Sequence, residues 1–315
     1  PGTAMTTALI THSDCLEHVT PDGHPERVDR LRAVMAALEA EEFQHLLRLE
    51  ASEATDVAIN RAQAPGYAEA LKARIPDRGA SPLDAATWLS PGSWRSAVRA
   101  AGAVMDGVDL VLENKVGNVF CAVRPPGHHA EADRARGFCL LNSAGIGALH
   151  AIESHGLSRV AIVDFDVHHG NGAQDIFERD GRVLYVSTHE WPLYPGTGAA
   201  HETGVGNIVN VCLPAFTDGA AYRPIFEKQV MPAVEAFRPE LLIISAGFDG
   251  HRDDPLAQLM LTEDAFAWAT QRLCEAATSL CDGRVVSTLE GGYDLASLAR
   301  SAAAHVRVLM EQPSR

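Results

Sequence analysis

The stretch Arg159-Val-Ala-Ile-Val-Asp164-Phe-Asp166-Val-His168-His169-Gly170 runs from a short apolar segment into a tip of carboxylates, imidazoles and glycine. An apolar run without polar alternation suits a strand covered on both faces, and the polar tip suits a turn from that strand into a helix. Strand side chains alternate, so Asp164, Asp166 and His168 share one side while the segment stays extended. Leu241-Leu-Ile-Ile-Ser-Ala-Gly-Phe-Asp249 repeats the arrangement, ending in a carboxylate on a strand too apolar to carry it without a partner.

Outward from these two stretches, from about residue 118 onward, short β-rich runs alternate with helical patterns. The spacing predicts strands over 118–124, 159–166, 182–188, 208–213, 241–246 and 285–289, with another over 7–12. Helix-like apolar spacing covers 91–112, 142–155, 218–237, 262–281 and 295–310. Strands and helices in alternation give an α/β fold, a mainly parallel multi-stranded sheet with helices on both faces. The 315 residues allow two domains by length, but no linker or internal repeat divides them, so a single domain over 5–315 is expected. Pro1-Gly-Thr-Ala4, ahead of Met5, reads as a cloning remnant and is left out of the fold argument.

Composition narrows the function classes. Hydrophobic residues make up 46% and charged residues 21%, enough for a large core. A net charge of -15 repels nucleic-acid phosphates and favours basic partners or cationic substrates. The six cysteines form no CxxC pair and most sit in apolar surroundings, which suits a reducing cytoplasm. With no membrane-length apolar run and no signal-peptide pattern at the start, a cytoplasmic protein with no membrane partner is expected.

Polar, glycine-containing segments follow four of the expected strands: Pro125-Pro-Gly-His-His129, Asp166-Val-His-His-Gly170, Gly247-Phe-Asp249 and Glu290-Gly-Gly-Tyr293. Ligands bind at the carboxyl edge of open α/β sheets, so these segments should converge on one site. Asp166, His168 and Asp249 would supply two carboxylates and one imidazole, leaving a coordination position open as a catalytic metal requires. Each alone reads equally well as a helix cap or a loop residue; the combination with His128-His129 is what points to chemistry. Tandem imidazoles can divide the taking of a proton from water and its delivery to a leaving amine, with Asp164 and Asn171 as candidates to fix their tautomers. The two glycines before Tyr293 permit a tight turn that would aim its phenol at a carbonyl oxygen.

Together these segments resemble the histone deacetylase and acetylpolyamine amidohydrolase family, which has an arginase-like α/β fold. The resemblance runs from about Thr7 to Met310 and rests on Arg124-Pro-Pro-Gly-His-His-Ala130, Gly137-Phe-Cys-Leu-Leu-Asn142, Asp164-Phe-Asp-Val-His-His-Gly-Asn-Gly172, Tyr194-Pro-Gly-Thr-Gly198, Gly247-Phe-Asp249 and Glu290-Gly-Gly-Tyr293. It implies one Zn2+ per chain on Asp166, His168 and Asp249, His129 as main general base, His128 as its electrostatic or acid partner, and Tyr293 on the carbonyl. It implies further that Gly137, Phe138 and Tyr194 shape a narrow acyl-lysine tunnel. Structural K+ is implied at two places, one using Asp164, Asp166, His168, Ser187 and Thr188 and one using Phe177, Asp180 and Val183. Asn171 stands where class I members carry aspartate, which places the chain nearer the bacterial class II-like amidohydrolases. Ala86-Thr87 departs from a pattern with an acid before the threonine, and Asp84 is the candidate to replace that substrate contact. His24-Pro-Glu-Arg27 also fits the family, as loop structure near the site.

The activity implied is removal of acetyl or other acyl groups from lysine-type amines by metal-activated water. Alternatives are deacetylation of acetylpolyamines or small metabolites, a binuclear ureohydrolase in which His251 would help hold a second metal, and a non-catalytic acyl-lysine binder. In polyamine-specialised relatives a glutamate gate follows the metal-binding aspartate; here that position falls on the apolar Leu256, with Asp253 and Asp254 expected to support the loop. An oligomer is left open.

Overall fold

The computed structural model describes residues 6–312, so the remnant expected at residues 1–4 lies outside the described residues. In chain order the strands are β1 (Thr7–Thr11), β2 (Leu47–Glu50), β3 (Ser81–Pro82), β4 (Trp88–Leu89), β5 (Asn118–Cys121), β6 (Val160–Asp164), β7 (Val183–Glu190), β8 (Ile208–Leu213), β9 (Leu241–Ala246) and β10 (Val285–Leu289). The helices are α1 (Val28–Ala37), α2 (Asp56–Ala62), α3 (Tyr67–Lys72), α4 (Ser93–Leu112), α5 (Ser143–His155), α6 (Asn171–Phe177), α7 (Gly219–Ile225), α8 (Met231–Phe237), α9 (Glu263–Cys281) and α10 (Leu295–Met310).

Eight strands form one sheet in the order β2-β1-β5-β10-β9-β6-β7-β8, and every pairing in it is parallel. Strands β5, β6, β7, β9 and β10 are buried along their whole length, as their unbroken apolar runs require between two helical layers. Helices α4 and α5 pack on one face; α1, α8, α9 and α10 form the other layer. Each strand expected from the sequence is present within a few residues. The edge strand β2, Leu47-Arg-Leu-Glu50, was not expected, because mostly exposed residues alternating with charges carry little core signal. Charges there also discourage another chain from pairing with the edge.

The helix expected over 218–237 is interrupted. Residues Phe226–Val230 form a π-helical turn between α7 and α8. Pro224 and Pro232 each lack a backbone donor, and the widened turn falls between them. Neighbouring β6 and β9 are paired with Asp164 opposite Ser245, so Asp166, His168 and Asp249 leave the sheet side by side at its carboxyl edge.

Candidate active site

Asp166, His168 and Asp249 are buried and offer ligand atoms that all lie within 4.8 Å of one another. His168 Nδ1 stands 3.2 Å from Asp166 Oδ1 and 3.0 Å from Asp249 Oδ2. Backbone donors aim the carboxylates: Val167 N–H reaches Asp249 at 2.9 Å, and Gly291 N–H reaches Asp166 at 2.8 Å. A Cβ on Gly247 would lie 2.0 Å from Asp166 Oδ2, and one on Gly291 would lie 2.1 Å from Asp249 Oδ2. Glycine is therefore needed at both positions for the carboxylates to converge.

The donor set fits a divalent cation. Burial disfavours a charged His168, but its bonds to Asp166 and Asp249 outweigh burial and lift the ring to about 10. Burial and then the Asp166 charge carry Asp249 up to about 7. Two carboxylates this close require a cation between them, and an imidazole with two anionic oxygens is a ligand set that zinc accepts.

The turn after β5 delivers the two histidines. Glu290 Oε2 accepts from Gly127 N–H at 2.7 Å and His128 N–H at 3.1 Å, tying this turn to the one after β10. Burial pushes the Glu290 carboxyl up to about 7. His128 Nδ1 lies 2.9 Å from Asp164 Oδ2, which also accepts from Tyr185 Oη at 2.8 Å. Burial opposes charge on His128, yet Asp166, Asp164 and Glu290 overcome it and raise the ring well above its ordinary value.

His129 differs. Its Nδ1 lies 2.7 Å from Asn171 Oδ1, while Asn171 Nδ2 donates to Glu131 at 2.7 Å. A carboxylate can only accept, so Glu131 fixes the amide orientation, and Asn171 Oδ1 must take the Nδ1 proton of His129. Nε2 is left as the basic nitrogen. Burial, then the neighbouring His128 and His168 rings, hold His129 well below the ordinary imidazole value.

Tyr293 is placed by residues far away in sequence. Arg30 donates to the carbonyls of Gly292 at 2.5 Å and Glu290 at 2.6 Å, and its guanidinium carbon lies 4.8 Å from the Tyr293 ring centre. Asp254 accepts from Tyr293 N–H at 2.7 Å and from Leu256 N–H at 3.0 Å, the loop support expected of it. Asp253 is exposed instead and stands 3.5 Å from Arg300. Burial raises the Tyr293 phenol well above its usual value, so it stays a neutral donor.

A cavity of about 220 Å³ opens above these groups, lined by Ala86, His129, Gly137, Phe138, His168, Tyr194, Leu256 and Tyr293. Phe138 adopts a left-handed φ of 71°, with its N–H held by Thr87 Oγ1 at 3.2 Å. A Cβ on Gly137, whose φ is 57°, would stand 2.5 Å from the His129 ring. Asp84 does not reach this cavity. Its Oδ1 accepts from Ala86 and Thr87 N–H at 2.8 and 2.6 Å, closing its own turn, and Ala86 takes the place in the wall.

The two sets implied to hold potassium fare differently. Asp164, the last residue of β6, pairs in register with Ser187 on β7, and Asp166 and His168 follow in the turn after β6. The carbonyls of Phe177, Asp180 and Val183 do converge, but on Asn207 Nδ2, at 2.8, 3.0 and 2.8 Å. Those three carbonyls thus meet at a side-chain amide nitrogen, which has two hydrogens to share among them. His251 joins no metal-ligating group among the described residues, so a second metal beside Asp249 has no support.

Sequence reasoning also passed over a buried charge cluster. Arg124 is bonded to both oxygens of Glu26, at 2.9 and 2.7 Å, and to the carbonyls of Cys15 and His18; Arg30 reaches Glu26 at 3.1 Å. Buried charges need such partners, and an Arg-Pro pair at the end of a buried strand was the available signal.

A family profile described as the histone deacetylase domain matches residues 24–309. The chain belongs to the histone deacetylase family. Within it, the "Probable deacetylase" of Archaeoglobus fulgidus is 37% identical over 298 residues, spanning 92% of this chain and 82% of its own. The human "Polyamine deacetylase HDAC10" is 37% identical over 331 residues, spanning 98% of this chain but 49% of its own. The crystal structure of the HDA15 HD domain is 37% identical with a TM-score of 0.91, covering 99% of this chain and 91% of that one. The fold is therefore the deacetylase α/β fold, and the family is one of hydrolases acting on amides. Among the described residues no helix is long and apolar enough to cross a membrane.

Proposed function

We propose that this deacetylase-family chain is a zinc-dependent amidohydrolase that removes acetyl or other short acyl groups from lysine-type amines. One observation carries the reading: the Asp166–His168–Asp249 group, His129 and Tyr293 meet at one cavity of about 220 Å³ whose walls include Phe138 and Tyr194. Ring faces on either side suit an aliphatic stem, and an apolar Leu256 rather than a carboxylate stands at the gate position.

When bound by Asp166, His168 and Asp249, zinc supplies Lewis acidity toward the amide carbonyl and lowers the pKa of water. His129, neutral and with Nε2 basic, takes the proton from the attacking water. His128, held charged against Asp164 and Asp166, stabilises the negative charge that develops, and the proton taken up at His129 Nε2 passes to the departing amine. Tyr293 donates its phenolic proton in a hydrogen bond that strengthens as the carbonyl oxygen gains charge. The amine released by hydrolysis is a cation, which the acidic surface field of a chain with net charge -15 favours.

The test is a panel of acyl-lysine peptides, acetylspermidine and acetylated small amines, assayed with and without a chelator and after zinc restoration. Acetyl-lysine turnover abolished by chelation and restored by zinc is the expected result. Turnover untouched by complete metal removal overturns it. The related human polyamine deacetylase makes acetylspermidine the competing substrate, and a higher kcat/KM on it would reassign the substrate class.

A further inference from the structure

A second group of metal-ligating side chains lies away from the cavity. Asp109 is in the last turn of α4, and His150 and His155 are on the last turns of α5. These helices lead into the starts of β5 and β6, so the group sits at the amino edge of the sheet, opposite the candidate active site. His150 Nε2 and His155 Nε2 both point at the same oxygen, Asp109 Oδ1, each at 2.6 Å, and the ring centres are 5.4 Å apart.

A hydrogen-bonded brace explains this arrangement poorly. Two ring nitrogens crowd one oxygen at less than the usual N–H···O separation of about 2.9 Å. His150 Nδ1 is buried with no partner, so the ring is held at this point through Nε2 alone. A divalent ion in the middle accounts for the convergence. Ligand bonds of about 2.0–2.1 Å in tetrahedral geometry place ligand atoms about 3.3 Å apart, so the three groups need to open by only a fraction of an ångström. The side chains are partly exposed, Asp109 at 41%, His150 at 12% and His155 at 22%, which leaves room for water to complete the coordination. Both helices also end at the group, and the negative ends of their dipoles favour a cation there. The nearby Lys115 ammonium is paired with Glu113 at 2.5 Å.

We propose that Asp109, His150 and His155 form a second, non-catalytic binding site for a late divalent transition metal such as Zn2+ or Ni2+, clamping α4 to α5. Two imidazoles and a carboxylate select these ions over Mg2+ or Ca2+.

The test is calorimetric titration of chelator-treated protein with zinc chloride. Wild type should bind two equivalents, one tight and one weaker. Asp249→Ala should keep only the weaker one, and His150→Gln with His155→Gln should keep only the tight one while retaining deacetylase activity when zinc occupies it. Removal of either ring should weaken the second site by more than the roughly 10–100-fold that a supporting residue typically costs. Zinc should also raise the Tm of Asp249→Ala but not that of the triple variant Asp249→Ala, His150→Gln, His155→Gln. No zinc binding by Asp249→Ala, or a weaker equivalent that survives the double His→Gln change, overturns the proposal. Because the Asp249→Ala protein reports on this site alone, the result is independent of the reading of the catalytic centre.

Discussion

Two groups of carboxylate and imidazole ligands sit at opposite edges of the same sheet, and they are built differently. At the carboxyl edge, Asp166, His168 and Asp249 extend from adjacent strands, are fully buried, and have their carboxylates aimed by the N–H groups of Val167, His168 and Gly291. At the amino edge, Asp109, His150 and His155 extend from helices and are partly exposed, and Asp109 is held by the rings themselves. The ligand chemistry is nearly the same. What separates the proposed catalytic centre from the proposed clamp is the backbone scaffold, which fixes the first group and surrounds it with a cavity, an imidazole pair and a phenol.

The largest expected effect falls on the buried group. Asp249→Ala should leave less than a tenth of an equivalent of tightly held metal, and activity should drop to background in the same preparation, as read by metal analysis and acetyl-lysine turnover. Full activity in a metal-free Asp249→Ala protein would break the contrast. Next come the groups that act beside the metal. His129→Ala should lower kcat by ~10²–10⁴-fold and Tyr293→Phe by ~10²–10³-fold, both with metal content unchanged.

The third prediction concerns stability. Burial opposes charge on Glu26, but Arg124 and the other cations around it overcome this and hold its carboxyl at about 2, below the ordinary 4.5. A depressed folded-state pKa means stability that is fully present above pH 4.5 and lost as pH falls toward 2. Burial also lowers His18 to about 4 from 6.5, so the unfolded chain takes up that proton first and stability begins to fall below pH 6.5. Glu26→Gln should cost ~3–5 kcal/mol, because it strands buried guanidinium charge. It should also remove the Glu26 share of the Tm loss between pH 4.5 and 2, while the fall that begins near 6.5 persists and extends lower because Glu26 no longer supports a charged His18. A mutant profile parallel to wild type across that lower window would show that Glu26 is not the titrating group.

The smallest effect is at the cavity mouth. Leu256→Glu should move the ratio of acetyl-lysine to acetylspermidine kcat/KM toward the polyamine by roughly 2–5-fold, the worth of a partly exposed ion pair. An unchanged ratio would mean that Leu256 does not set the preference.

The carboxyl edge was far more legible in the sequence than the amino edge. Asp166, His168 and Asp249 end unbroken apolar strands, where a carboxylate is out of place unless it is used, and His128-His129 and Tyr293 follow glycine and proline turns that only make sense as positioned loops. Asp109, His150 and His155 lie at ordinary, partly exposed helix positions, and nothing in their local spacing says that two separate helices bring them together. The same limit hid Glu290 as the tie between two turns and Asn207 as the partner of three carbonyls, because each acts through contacts distant in sequence. Asp84, read from its sequence neighbourhood as a substrate contact, has its Oδ1 engaged by its own turn, which local sequence did not announce.

Arg30 and the carbonyls it holds, those of Glu290 and Gly292, are separated by 260 and 262 residues. During translation at roughly 5–20 residues per second, on the order of tens of seconds pass between the appearance of the guanidinium and that of its acceptors. Until then Arg30 has Glu26 but not the turn that carries Tyr293. A nascent chain can fold its early strands and still lack the turn that aims Tyr293, so that turn gains its Arg30 support only after the segment following β10 has emerged.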